Sequence, residues 1–102
     1  MDAWEIYLEE FRSRGARAHV QRFSRQEGLT EAAHDAYQAA ADRMTREHGW
    51  SDEHTLVVMR GLNDAVRGWL AAGAGDWDEL GAELRRREME LRDGFGDVAA
   101  PA

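Results

Sequence analysis

The chain has 102 residues, 43% of them hydrophobic, with four Trp, no Cys and a formal net charge of −7. That is one domain's length with enough apolar surface for a core. The missing Cys excludes disulfides, thiolate nucleophiles and Cys metal sites, and the acidic balance argues against generic binding to nucleic acid or anionic membrane, where phosphate contacts supply most of the affinity.

All 13 basic residues are Arg, a bias that together with abundant Ala and Gly points to GC-rich codon usage and a bacterial or phage source. Asp2 and Glu5 stand where a secretory leader would carry positive charge, and no apolar run has the length of a membrane span. The expected setting is therefore cytoplasmic, with no membrane partner. Arg12, Arg14, Arg17, Arg22 and Arg25 fall in a stretch without acids, whereas the chain from Asp76 onward is rich in carboxylates.

The first helix is predicted from Asp2 to Ser13, with Trp4, Tyr7, Leu8 and Phe11 recurring at i, i+3, i+4 and i+7. Gly15 interrupts this register, and the stripe resumes rotated as Ala16, Val20 and Phe23, so a kink or short break is expected near Arg14 and Gly15. A second segment ends at Gly28. Thr30 followed by Glu31 reads as an N-cap for a helix from Glu31 to His48, whose buried side is Ala33, Tyr37, Ala40, Ala41, Met44 and His48. Arg46 and His48 complement the negative end of that helix, and Gly49 takes the position after it.

Ser51, with Asp52 and Glu53 in the first turn, caps the next helix, and Gly73 ends it. This stretch, about 52–72, is the most apolar in the chain and is expected at the centre of the bundle. Thr55, Met59, Leu62, Val66 and Trp69, widened by Val58 and Leu70, give it one face; Leu56 and Val57 carry the apolar surface further round. Gly61, Ala65, Gly68 and Ala72 form a second row small enough to admit a neighbouring helix. Beyond Gly73, Ala74 and Gly75, Asp76 caps a last helix with Glu79 at capping-box spacing. Trp77, Leu80, Leu84 and Leu91 face inward, while Glu83 with Arg87 and Glu88 with Arg92 are i, i+4 pairs on a solvated surface. Gly94 and Gly96 terminate this helix.

The pattern predicts an all-α protein, a small four- to five-helix bundle. It forms one domain over residues 1–96, followed by a disordered tail over 97–102.

Three classes of function are tested against these residues. For catalysis, Ser13, Ser24 and Ser51 all read as helix ends or caps, with no nucleophile-elbow sequence, so a covalent enzyme mechanism is not supported. The Gly73, Ala74, Gly75 turn would repel phosphate through Asp76, Asp78 and Glu79. For metal or small-ligand binding, Glu31 and His34 have the Glu-x-x-His spacing of di-iron carboxylate bundles. A symmetric dimer could supply a second copy, and Glu5, Glu9 or Glu10 could bridge. The competing reading takes Glu31, His34, Asp35, Gln38 and Asp42 as an ordinary solvated strip. His48, Asp52, Glu53 and His54 form a second cluster that helix-end roles already explain.

For anion or nucleic-acid binding, a helix over residues 14–27 would bring Arg14, Arg17 and Arg25 to one side with Arg22 beside them. The net charge opposes it, and a helix-turn-helix reading of residues 36–69 would turn Asp52 and Glu53 toward phosphate.

What remains is contact with protein. The apolar stripes offer more surface than four or five short helices readily cover. The expected function is therefore that of a non-catalytic regulatory or accessory protein, working through homo-oligomerisation, most simply a dimer, or by docking another protein. The row Gly61, Ala65, Gly68, Ala72 or the stripe Trp4, Tyr7, Leu8, Phe11 is the predicted interface. No cofactor is expected.

Overall fold

The computed structural model describes the backbone of residues 1–18 and 25–95 and the side chains of residues 1–16 and 26–92. Among these residues the secondary structure is helix, in four pieces: α1 over Ala3–Ala18, α2 over Arg25–His48, α3 over Asp52–Ala71 and α4 over Trp77–Phe95. The expected tail, 97–102, lies outside them. No helix is long and apolar enough to cross a membrane.

Each neighbouring pair of helices is antiparallel, as cross-helix contacts at both ends show. Arg43 reaches Glu9 while Leu29 lies against Gly15, tying α2 to α1. The Thr45 and Thr55 hydroxyls are 3.5 Å apart while Gln26 donates to the Leu70 carbonyl at 2.8 Å, which sets α3 beside α2. Gly61 meets Leu91 and Trp69 meets Trp77, closing α4 on α3. Glu88 accepts from the Trp4 backbone and Trp77 packs on Phe11, closing α4 back on α1. The ring α1–α2–α3–α4 surrounds a core in which Ile6, Tyr7, Phe11, Met44, Met59, Leu62, Leu80 and Leu84 are fully buried. Each such side chain removed from water stabilises the fold by roughly 1.5 to 3 kcal/mol before entropy is counted. In this arrangement α3 is one wall of four, packed mainly on α2 and α4.

Two predicted breaks are helix interior instead. α1 runs straight through Gly15, because that position is where α1 touches both Leu29 and Trp77: a Cβ there would lie 3.1 Å from an atom of each. The glycine provides close approach within a continuous helix. α2 begins at Arg25 and passes through Gly28, which is buried. Thr30 is therefore not a cap; its hydroxyl donates back to the Gln26 carbonyl at 2.8 Å, as a mid-helix threonine does. Of the predicted basic helix over residues 14–27, Arg14 and Arg17 belong to α1 and Arg25 opens α2, and residues 19–24 lie outside the described residues.

The later signals hold. Ser51 is extended and its Oγ accepts from the His54 N–H at 3.1 Å. The Asp78 N–H bonds the Asp76 Oδ1 at 2.9 Å. Gly49 and Gly73 have φ of +66° and +105°, which a side chain would strain.

Candidate functional site

One flank of the bundle carries an open groove of about 210 Å³ between α2 and α3. Its floor and walls are Tyr37, Ala41, Thr45, Thr55 and Met59, with Leu56 on one lip and Asp42 and Asp52 on the rim. Ala41 is the smallest side chain of that lining. Leu56 stands beside the groove with 44% of its surface exposed, so an aliphatic side chain remains in water where the α3 stripe widens. A cleft of this size accommodates an apolar side chain, and its lining holds no acid–base pair in contact.

The polar groups at one end of the bundle serve the fold. Glu88 continues the inner stripe of α4 four residues after Leu84 and is only 2% exposed. Its carboxylate accepts from the Trp4 N–H at 2.6 Å and pairs with Arg92 at 3.2 Å. It thus satisfies an amide in the first turn of α1, where the helix dipole also favours an anion. Burial pushes the Glu88 carboxyl above its ordinary value, against the lowering effects of the Trp4 bond and Arg92. The pairs Glu83 with Arg87 and Glu88 with Arg92 both form, at 3.5 and 3.2 Å. The α4 surface is nonetheless not solvated throughout. The sequence signal for Glu88 is its place in the stripe, which its i, i+4 partner Arg92 masks.

Nearby, Trp50 is buried and packs against both imidazoles, 4.9 Å from His48 and 4.3 Å from His54. His48 Nε2 lies 2.8 Å from the Met1 carbonyl oxygen. An indole in contact with both rings occupies the space a shared metal would need. Among the described residues no three His, Asp or Glu side chains come together to hold a metal ion. Glu31 and His34 are both exposed on α2, and Glu9 and Glu10 turn toward Arg43, at 3.0 and 3.6 Å.

At the other end, Phe11, Trp69 and Trp77 form an aromatic cluster, with Phe11 edge-on to both indoles, the indoles tilted on each other and centroids 4.9 to 5.9 Å apart, and the Arg12 guanidinium lies 6.0 Å from the Trp77 ring centroid. Arg14 is occupied by Glu10 at 3.0 Å. Arg22 and the side chains of Arg17 and Arg25 lie outside the described residues, so the basic patch has no described geometry.

The predicted contact residues divide. Tyr7 and Phe11 are wholly buried within the subunit, and Trp4 and Leu8 pack against its core, half-covered. Burial pushes the Tyr7 phenol well above its ordinary range, and its O–H donates to Asn63 Oδ1 at 3.1 Å. Gly61 lies under Leu91 and Ala65 is buried, whereas Gly68 and Ala72 are open to solvent. The structure does not bring the two predicted sets to one surface. The groove uses neither; sequence periodicity pointed to it only through Leu56, the apolar residue outside the main stripe.

Comparison with protein-family models, with characterised proteins and with solved structures returns no match to this chain.

Proposed function

We propose that the chain is a small helical protein that acts by contact with another polypeptide, through self-association, partner docking or both, in a regulatory or accessory role and without catalysis. The observation that carries this reading is the α2/α3 groove, with exposed Leu56 beside an apolar cleft of about 210 Å³. A half-filled cleft next to an uncovered aliphatic side chain is stabilised when a second surface covers both, by about 25 cal/mol per Å² of apolar area removed from water. The predicted row and stripe support it less, because Tyr7, Phe11 and Ala65 are already consumed by the core.

Hydroxyl-radical footprinting tests the proposal. Oxidation of Tyr37, Leu56 and Met59 is compared at low and high protein concentration, with and without extract of the native host. Contact through this flank protects Leu56 in at least one of those conditions. Unchanged oxidation of all three in every condition overturns it.

A further inference from the structure

We infer that the α2/α3 flank is a self-complementary surface, and that a second copy of this chain covers it about a twofold axis running along the groove. The inference rests on the contact reading above and names its occupant. It is carried by charges that the folded subunit leaves unused. Arg14, Arg43, Arg86, Arg87 and Arg92 all form ion pairs within the subunit. On the groove flank, Glu31 and Asp42 of α2 and Arg60 and Arg67 of α3 are exposed and enter none of the ion pairs among the described residues.

Leu56, Arg60 and Arg67 share one ridge of α3, four and eleven residues apart, and Glu31 and Asp42 share one ridge of α2 at the same eleven-residue spacing. On these two ridges the acids stand on α2 and the bases on α3, while Arg46 of α2 and Asp52, Glu53 and Asp64 of α3 are exposed charges of the opposite sign.

The register makes the two ridges complementary. Thr45 and Thr55 touch at 3.5 Å and so mark a common level on the antiparallel helices. At about 1.5 Å per residue, Asp42 lies about 4.5 Å from that level and Arg60 about 7.5 Å in the same direction; Glu31 lies about 21 Å away and Arg67 about 18 Å. A twofold axis parallel to the helices preserves each level and exchanges the helices. It therefore sets Asp42 of one copy within about 3 Å of the level of Arg60 of the other, and Glu31 equally close to the level of Arg67. Within one subunit these four side chains are exposed and form no ion pair with one another. On the partner they meet. Leu56 fits the same operation, since the lip of one groove becomes the knob that enters the other. Asp64, further round α3, stays at the rim.

The test is charge reversal read by sedimentation velocity and native mass spectrometry. Wild type is expected to be a dimer at micromolar concentration. The variant Arg60→Glu with Arg67→Glu, and separately Glu31→Arg with Asp42→Arg, are each expected to weaken self-association more than about tenfold, through like charges set face to face. Mixing the two variants restores a 1:1 heterodimer, because each then meets its opposite.

A strictly monomeric wild type overturns the inference, as does a dimer that survives both reversals or a mixture that stays monomeric while wild type dimerises. If either variant unfolds, single Leu56→Cys and Met89→Cys substitutions in this Cys-free chain decide it with a short bismaleimide. Linkage through position 56 and not through 89, which is exposed on α4, supports the interface; the reverse refutes it. A monomer whose Leu56 is nevertheless protected by host extract separates failure of the dimer from failure of the contact reading.

Discussion

Replacing Glu88 probes how the bundle is closed. The carboxylate is buried, takes the Trp4 amide at 2.6 Å and touches Arg92, whose side chain is 49% exposed. Glu88→Ala leaves an amide in the first turn of α1 without its acceptor, at a cost of about 1.5 to 3 kcal/mol for a charge-assisted bond. The half-exposed Arg92 pair adds no more than about 0.5 kcal/mol. Relief of the buried charge offsets part of this, leaving about 2 kcal/mol, or a fall in Tm of about 8 to 16 °C for a domain of this size. Glu88→Gln keeps an acceptor and removes the charge, so it should stay within about 1 kcal/mol of wild type.

The pH dependence separates the two contributions. The folded-state pKa of Glu88 is raised, first by burial, so the folded protein holds that proton more tightly than the unfolded chain does. The associated stability is fully present below the ordinary glutamate value and is lost as pH rises through the raised one. Measured by urea melts followed by far-UV circular dichroism, wild type should therefore gain on Glu88→Gln as pH is lowered from 7 through the carboxylate range. The reasoning is refuted if Gln is as damaging as Ala, or if the gap between wild type and Gln moves the other way on acidification.

Two further predictions concern other parts of the bundle. Gly68→Ala should raise stability by about 0.5 to 1 kcal/mol, since nothing lies within 4 Å of the new methyl and the position is helical. Gly61→Ala should lose that gain, because its Cβ would fall 2.4 Å from Leu91 Cδ1; paired thermal melts check both. The Tyr7 phenol is raised by burial, so in a Tyr37→Phe background tyrosinate absorbance should appear only together with loss of helicity. Stability held below about pH 10 is lost as pH climbs above it. Ionisation of Tyr7 in a protein that is still folded would contradict the buried O–H bond to Asn63.

What the sequence made legible was local chemistry. Ser51, Asp76, Gly49 and Gly73 act where they stand, through a hydroxyl, a carboxylate or a left-handed φ, and each marks a helix end as read. Gly15 lies inside a helix because glycine also serves tertiary contact, and only the arrival of Leu29 and Trp77 against it distinguishes a contact glycine from a breaker; Thr30 caps nothing because its hydroxyl bonds back to Gln26 within α2. Glu88 escaped for the converse reason. Its i, i+4 partner gave a sufficient surface explanation, while its acceptor role depends on a backbone amide 84 residues away.

The candidate site was the least legible part, because a groove is a property of two helices and not of either periodicity alone. The α2 strip of Glu31, His34, Asp35, Gln38 and Asp42 reads as solvated, and the folded subunit leaves it so. Its significance comes from its level against Arg60 and Arg67 on the antiparallel neighbour, a register fixed by Thr45 and Thr55. On the α1/α2 flank Arg43 is held among Glu9, Glu10 and Glu47, and on α4 Arg86 and Arg87 pair with Glu83, while Arg12, Arg46 and Arg85 are exposed and enter none of the ion pairs among the described residues. A paired charge gains little by being covered and loses its hydration, whereas an unpaired one beside an apolar cleft gains a partner when the cleft is filled. By that criterion the α2/α3 flank is the face on which the proposed dimer gains most, by presenting Arg60 and Arg67 to Glu31 and Asp42 of a second copy.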